Sequence, residues 1–534
     1  MIKILVADPL AEAGMKRITE TGGVEADVKT GLGEDELAGL VGNYDGMIIR
    51  SGVKVTAKVL ANPGKLRVIT RAGVGVDNVD LKAATDAGIL VMNTPDANTI
   101  STAEQTMNLM LAMSRYTPRG DAHVRAKEWN RKAYVGTQLA GKTLGIIGLG
   151  RVGQAVAHRA LGFDMKVIAY DPFFSGESAL EGMVTLAKTR DEVFAQADYL
   201  TLHTKLNDET REMINKSNIA KMKDTVRIVN SSRGGVINDA DLAEALKEGK
   251  VAGAAIDVYA TEPPAPDNPL LDAPNTVLAP HLGASTKEAQ LAVTLQAVDA
   301  LLNYLAKGEI RCAVNVTGLP PQLSARDRAY LDLAQRMGAI LSHVASGVIE
   351  TVSVTAHGES LETILGTIQK QVLCDLLSPH FTTRLNLINV DGFVAERGIK
   401  VEQTTDLAIS AITDSITVRI STKDGTAHEV VGEVFLDGRP RIMAVDGYQM
   451  NLEPEGEMVM IFNDDEPGVI GLIGTIFGDH KVNIADMMLS RKQKTALMVL
   501  KLDAPIPADA MKALRSQKPP IQKVLPVTLP AIGS

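Results

Sequence analysis

A succession of short, continuously apolar runs separated by helical stretches constrains the first half of this chain most. IKILVA (2–7), GMIIR (46–50), LRVIT (66–70) and ILVMN (89–93) form one series. TLGIIGLG (143–150), KVIAYD (166–171), YLTLH (199–203), VRIVNSS (226–232), VAGAAIDV (251–258) and NTVLAPH (275–281) form a second. Strands that are apolar on both faces must be covered on both, as in a parallel sheet flanked by helices. Two α/β units are therefore expected. AEAGMKRITETG reads as a helix stopped at Gly22, and ADLAEALKEG (240–249) as a helix capped by Asp239 and stopped by Gly249. The stretch after His281 reads as a long helix opened by a Ser285/Glu288 capping box.

With 534 residues the chain exceeds one hydrophobic core, so three or four domains are expected. Gly-Pro punctuation in VNVTGLPP (314–321) marks a boundary, and EPEGE (453–457) a second linker. Between them helices come first and β-rich stretches, such as SITVRIST and EVVGEVF, come later. The last segment reads β-α-β-β-α-β, the order of a ferredoxin-like module. A net charge of −9 with no basic run gives no footprint for nucleic acid or an anionic membrane. Cys312 and Cys374 are too few for a disulfide framework or a cysteine metal site, and no metal is expected. No secretory leader is read, and no run approaches the ~20 apolar residues of a membrane span. A reducing cytoplasm is the expected location.

Gly148-Leu149-Gly150-Arg151-Val152-Gly153 lies between a strand and a helical run. In that context the first glycine permits the turn, the second admits a pyrophosphate to the backbone, and the third lets helix and strand pack closely. The helix N-terminus adds partial positive charge. Asp171, closing the next strand, suits the ribose hydroxyls and repels a 2′-phosphate, which favours NAD over NADP.

Three further strands lead into Arg233, Glu262 and His281. Carboxyl ends of parallel strands face the ligand crevice, so these side chains can converge near a nicotinamide. Oxidising a 2-hydroxy acid needs a base for the hydroxyl proton, which His281 suits. Glu262 can orient the imidazole, and Arg233 can clamp a carboxylate. Each has a blander reading: a loop bridge for Arg233, a solvated turn for Glu262, a packed histidine for His281.

GLGRVG, NSSRGGVIND, GAAIDVYATEPP and APHLGASTKEAQ resemble signatures of the D-isomer-specific 2-hydroxyacid dehydrogenases. RAGVGVDNVDL (71–81) and NTPDANTISTAEQ (93–105) are similar to the members that act on 3-phospho-D-glycerate. The resemblance covers essentially the whole chain. It implies a Rossmann-type doubly wound nucleotide-binding domain (98–283), a discontinuous flavodoxin-like substrate domain (1–97 and 284–314), an α+β intervening domain (315–452) and a ferredoxin-like ACT domain (453–534). The implied activity is NAD-dependent oxidation of 3-phospho-D-glycerate to 3-phosphohydroxypyruvate, the committed step of L-serine biosynthesis. Arg233, Glu262 and His281 would be the catalytic trio. NAD would lie on Gly148, Gly150, Arg151, Val152, Gly153, Asp171, Thr204, Ser231, Asp257, Gly283 and Ala284. The substrate would meet Arg50, Ser51, Arg71, Gly73, Val74 and Asn98, with Arg131 reaching in from a neighbouring subunit of a homo-oligomer, dimer or tetramer.

Val74 stands where relatives often carry Thr, and Lys205 where they carry Pro. L-serine is the implied effector, held by Asn463, Asp465 and Asn483; a purely structural ACT dimer is the alternative. Arg439 and Arg441 could hold an anion or form a solvated turn. Two other activities stay open: reduction of another 2-oxo acid (2-oxoglutarate, hydroxypyruvate, glyoxylate), and non-catalytic NADH sensing.

Overall fold

The computed structural model describes the whole chain except residues 175, 177–179, 382–383, 407–413 and 533–534. Its first sheet is parallel, in the order Val24–Val28, Ile2–Val6, Gly46–Ile49, Val68–Arg71, Leu90–Met92. That is the flavodoxin-like order. The second is also parallel: Val184–Leu186, Lys166–Tyr170, Thr143–Ile147, Tyr199–Leu202, Arg227–Asn230, Gly253–Ile256, Thr276–Leu278. Strand order reverses between Thr143–Ile147 and Tyr199–Leu202, the switch point at which a dinucleotide lies in a Rossmann fold. Val24–Val28 and Val184–Leu186 are edge strands that the apolar runs do not announce. An edge strand is covered less, so VEADV and VTL need no continuous apolar sequence.

The chain crosses between the two lobes twice. Helix Thr99–Ser114 leaves the first lobe and buries Ala103, Met107 and Met110 in the core of the second. After the last strand of the second sheet, helix Lys287–Lys307 returns and buries Val293, Ala297, Val298 and Leu301 against Ile4, Val6, Ile48 and Val68. Its cap is Thr286, whose hydroxyl accepts from Ala289 N at 3.1 Å, one residue beyond the expected Ser285. Likewise Asn238, not Asp239, caps helix Asp239–Lys247. In both cases the neighbouring polar residue in the sequence takes the cap.

The third sheet is mixed, in the order Lys400–Asp406, Ile349–His357, Ser415–Thr422, Ala427–Val434, Pro440–Val445, Tyr448–Leu452. Its long strand Ile349–His357 falls between helices Ala325–Val344 and Leu365–Leu377, so helices and strands are less segregated here than their sequence order implies. The fourth sheet is antiparallel: Ile484–Lys492, Thr495–Leu502, Gly456–Asp464, Ile521–Leu529. Two helices, Val469–Asp479 and Ala508–Arg515, complete the β-α-β-β-α-β module. One face of this sheet packs on those helices through Val459, Ile461, Met498 and Leu500. Its other face, with Met458, Met460, Leu497, Val499, Val527 and Leu529, joins the core of the preceding domain. Ala496–Leu500 is apolar at every position because both faces are covered.

Arg336, on helix Ala325–Val344, stitches this unit together at 1% exposure. Its guanidinium donates to the carbonyls of Pro454 (2.6 Å), Pro530 (2.8 Å) and Ala531 (3.2 Å), and to Asp332 Oδ1 (3.0 Å). On helix Leu365–Leu377, burial pushes the Asp375 carboxyl up to about 6, against the pull of a 2.7 Å hydrogen bond from Gln371 Nε2. A carboxyl that binds its proton more tightly when folded loses stability as pH rises through its unfolded value toward about 6. Asp375→Asn therefore raises the melting temperature of this unit, by about 2–4 °C at pH 8 and less at pH 5. An equal shift at both pH values, read by calorimetry, refutes this.

Among the described residues, no helix is long and apolar enough to cross a membrane.

Candidate active site

The glycine turn is built as its spacing requires. Gly148 follows strand Thr143–Ile147 at φ 94°, and a Cβ there would sit 2.4 Å from the His203 carbonyl oxygen. A Cβ on Gly153 would sit 2.2 Å from the Gly148 carbonyl, so helix Arg151–Leu161 rests directly on the turn. Gly150, its N-cap, offers no side-chain cap, and a Cβ added there would meet no atom within 4 Å. That end of the helix is open to an anion. Asp171 is fixed beside it, accepting from Leu149 N at 2.8 Å through one oxygen and from Phe173 N at 2.9 Å through the other. Thr204 Oγ1 is buried without a hydrogen-bond partner, and Ser231 Oγ lies 2.6 Å from Thr106 Oγ1. An open cradle, an orphaned hydroxyl and a carboxylate at the strand end fit a dinucleotide. The Val152 side chain packs at the edge of the core. Arg151 Nε reaches the other lobe at Asp96 Oδ1, 2.5 Å away.

Of the trio, His281 and Glu262 are in direct contact. His281 Nδ1 lies 2.7 Å from Glu262 Oε2, and Glu262 Oε1 accepts from Tyr259 N at 3.0 Å. The backbone thus fixes the carboxylate, the carboxylate fixes the imidazole, and Nε2 carries no protein hydrogen bond among the described residues. His281 itself is left-handed, at φ 56°. Such strain in a non-glycine residue, about 1–3 kcal/mol, persists where surrounding contacts enforce it. Asp257 does so: fully buried, it accepts from Leu282 N at 2.8 Å and Gly283 N at 2.9 Å. Burial raises its pKa, and those two amides pull it back. Ala284 follows, its carbonyl accepting from Gln290 Nε2 at 2.7 Å.

Three guanidiniums, those of Arg50, Arg71 and Arg233, form a mutually repelling cluster. Arg233 pairs across the cleft with Asp77 at 3.2 Å and donates to the Ser232 carbonyl at 2.7 Å. Burial, then the charge of Arg233, pushes Arg71 down to about 10; Arg50 adds to the repulsion, and Asp77 and Asp8 oppose it. Arg50 donates its backbone N–H to Asp8 Oδ2 at 2.6 Å and its side chain to Gln290 Oε1. The Nε atoms of Arg50 and Arg71 and Oδ1 of Asn98 are buried without partners. Buried unpaired donors beside mutually repelling cations suit an anion. Gly73 lies against Arg71, and the Val74 carbonyl accepts from Asn93 Nδ2 at 2.6 Å. Ser51 is exposed beside Arg50.

Other candidates lie apart. Arg131 sits on a 3-10 turn, Arg131–Tyr134, that buries no residue, and among the described residues it makes no hydrogen bond or ion pair to this site. Asp465 is held by Arg491 at 2.7 Å, Asn483 by Asp503 at 2.6 Å, and Asn463 is buried with Oδ1 unpartnered. Arg439 pairs with Glu453 and Glu455, both at 3.1 Å, and Arg441 with Glu453, so neither cation is free. Asp8, Asp77 and Gln290 join the site without being singled out by sequence. Asp8 closes the first apolar run and is open to the strand-end argument that selects Arg50; Asp77 and Gln290 carry no local signal.

Fold and site together define an NAD-dependent dehydrogenase of the D-isomer-specific 2-hydroxyacid class. Residues 107–283 match the model for the NAD-binding domain of the D-isomer specific 2-hydroxyacid dehydrogenases, 327–446 that for the D-3-phosphoglycerate dehydrogenase intervening domain, and 458–518 that for the ACT domain. The D-3-phosphoglycerate dehydrogenase of Archaeoglobus fulgidus is 40% identical over 94% of this chain and 96% of its own length. That of Methanocaldococcus jannaschii is 40% identical over 99% and 100%. A solved glyoxylate reductase from Paecilomyes thermophila, 32% identical, covers 59% of this chain and 98% of its own with a TM-score of 0.55. The chain belongs to the D-3-phosphoglycerate dehydrogenase family.

Proposed function

We propose that this chain oxidises 3-phospho-D-glycerate to 3-phosphohydroxypyruvate, the committed step of L-serine biosynthesis. The observation that carries the reading is the 2.7 Å His281–Glu262 pair, and the mutually repelling cluster of Arg50, Arg71 and Arg233 supports it. Bound NAD would supply the acceptor for the hydride leaving C2 of the substrate. His281 takes the hydroxyl proton on Nε2, and the Glu262 carboxylate stabilises the imidazolium that results. Arg233 clamps the substrate carboxylate, while Arg50 and Arg71 hold the phosphate. Gly150 and the helix behind it hold the pyrophosphate, and Asp171 the ribose. NADH formation tests the assignment: 3-phosphoglycerate turns over with a kcat/KM well above those of glycerate and 2-hydroxyglutarate. Equal or better use of either alternative removes the phosphate-binding role.

The reading extends to the division of the chain into 1–97 with 284–314, 98–283, 315–452 and 453–534. It extends also to a cytoplasmic homo-oligomer, dimer or tetramer. In that assembly the exposed arm carrying Trp129 and Val135, each 79% exposed, docks on a second copy and delivers Arg131 to its site. L-serine is the effector, at Asn463, Asp465 and Asn483, and the unpartnered Asn463 amide oxygen supports this. In a serine titration of the assay, inhibition supports the assignment, and neither inhibition nor binding removes it.

A further inference from the structure

We propose that a cavity of about 740 Å³ between the substrate-side lobe and the intervening domain binds a small amphipathic acid: one anionic head on a flat apolar body. The inference is independent of the substrate. Sites for small molecules run to about 300–1,000 Å³, largely apolar with a few convergent polar groups, and this cavity has that make-up. Leu60, Leu66 and Ala87 line it from the lobe, and Leu323 and Leu387 from the intervening domain.

Its charges are one-sided. Lys65, Arg67 and Arg384 all line the cavity. Asp86, the acidic residue in the lining, is paired with Lys82 at 2.6 Å. Arg67 has a partner only in Asp45, at 3.6 Å, while Lys65 and Arg384 have no ion pair among the described residues. Tyr304 also lines the cavity: burial raises the pKa of its phenol, and the charges of Arg67 and Arg384 pull it back down. An anionic head against Arg384 and Arg67, with its apolar body on the leucines, satisfies both halves of the lining.

The walls are held in register. Asn386 Nδ2 donates to the Gly88 carbonyl at 2.8 Å, and Ile388 is inserted in the core of the lobe. Two elements of the substrate side, one carrying Arg71 and one carrying Gln290, also reach the cavity. Strand Val68–Arg71 begins next to Arg67, and helix Lys287–Lys307 carries Gln290 near one end and Tyr304 near the other. The cavity is nevertheless distinct from the cleft, since none of Arg50, Arg71 and Arg233 lines it.

The test uses the full chain with NAD saturating, and 8-anilinonaphthalene-1-sulfonate as the reporter. One reporter is expected to bind per chain. Arg384→Gln removes the head contact and Ala61→Trp fills the cavity from an exposed position; each weakens binding about tenfold or more. Phenylpyruvate and phenyl phosphate both displace the reporter, and whichever does so at lower concentration shows whether the head is a carboxylate or a phosphate. Benzyl alcohol does not displace it. Absence of reporter binding, either variant binding as the parent does, or competition by benzyl alcohol equal to that of the acids overturns the proposal.

Discussion

Replacing His281 with alanine lowers kcat by about 10²–10⁴-fold, the usual contribution of a positioned acid–base group, and leaves NADH affinity within about twofold. The geometry dictates that split. The imidazole is tethered at Nδ1 by Glu262, so removing it leaves the glycine turn, Asp171 and the Thr204 hydroxyl untouched. The backbone conformation at 281 is enforced from outside by Asp257 through Leu282 and Gly283, so the loop has no reason to collapse. Steady-state rates with fluorescence titration of NADH check both halves. A kcat within tenfold of the parent means that another group takes the proton. Glu262→Gln keeps a hydrogen-bond acceptor for His281 but not its charge, and should fall between the two.

The second large effect lies far from the chemistry. Arg336→Met removes a cation that is 1% exposed and deletes its hydrogen bonds to three backbone carbonyls and to the half-buried Asp332. Breaking a buried charged network by deleting one member costs about 3–5 kcal/mol. For a unit of this size that lowers the melting temperature by roughly ten degrees. The loss falls on the C-terminal half, because every bond to Arg336 lies between residues 332 and 531. Calorimetry should show that transition moving while the one raised by NAD stays in place. Two unmoved transitions would show that the methionine stem alone secures the junction.

Much of the catalytic half is legible in the sequence because its chemistry sits at ends of apolar strands. Arg71 terminates one, Arg50 follows one, and Arg233, Glu262 and His281 each follow another within a few residues. The glycine turn is legible for the same reason: close approach at Gly148 and Gly153 leaves no other residue type possible. What sequence does not carry is pairing across distance. Asp77 meets Arg233 from the opposite lobe, and Gln290 meets Arg50 across 240 residues of sequence, and no local pattern records either contact. The polar edge strands escape notice because half-covered strands lose the apolar signature. Arg336 in sequence is one arginine among the polar residues of an amphipathic helix; only the fold shows that the linker at Pro454 and the segment after the last strand converge upon it.

The terminal β-α-β-β-α-β module offers no surface at which it could be cleanly cut away. One side of its sheet belongs to its own helices and the other to its neighbour's interior. Cutting it away would expose the apolar surface that half a dozen of its side chains now cover, each worth about 1.5–3 kcal/mol when buried. Heredity must therefore edit the two pieces in concert, and any chimera in this lineage should carry its seam upstream of residue 325.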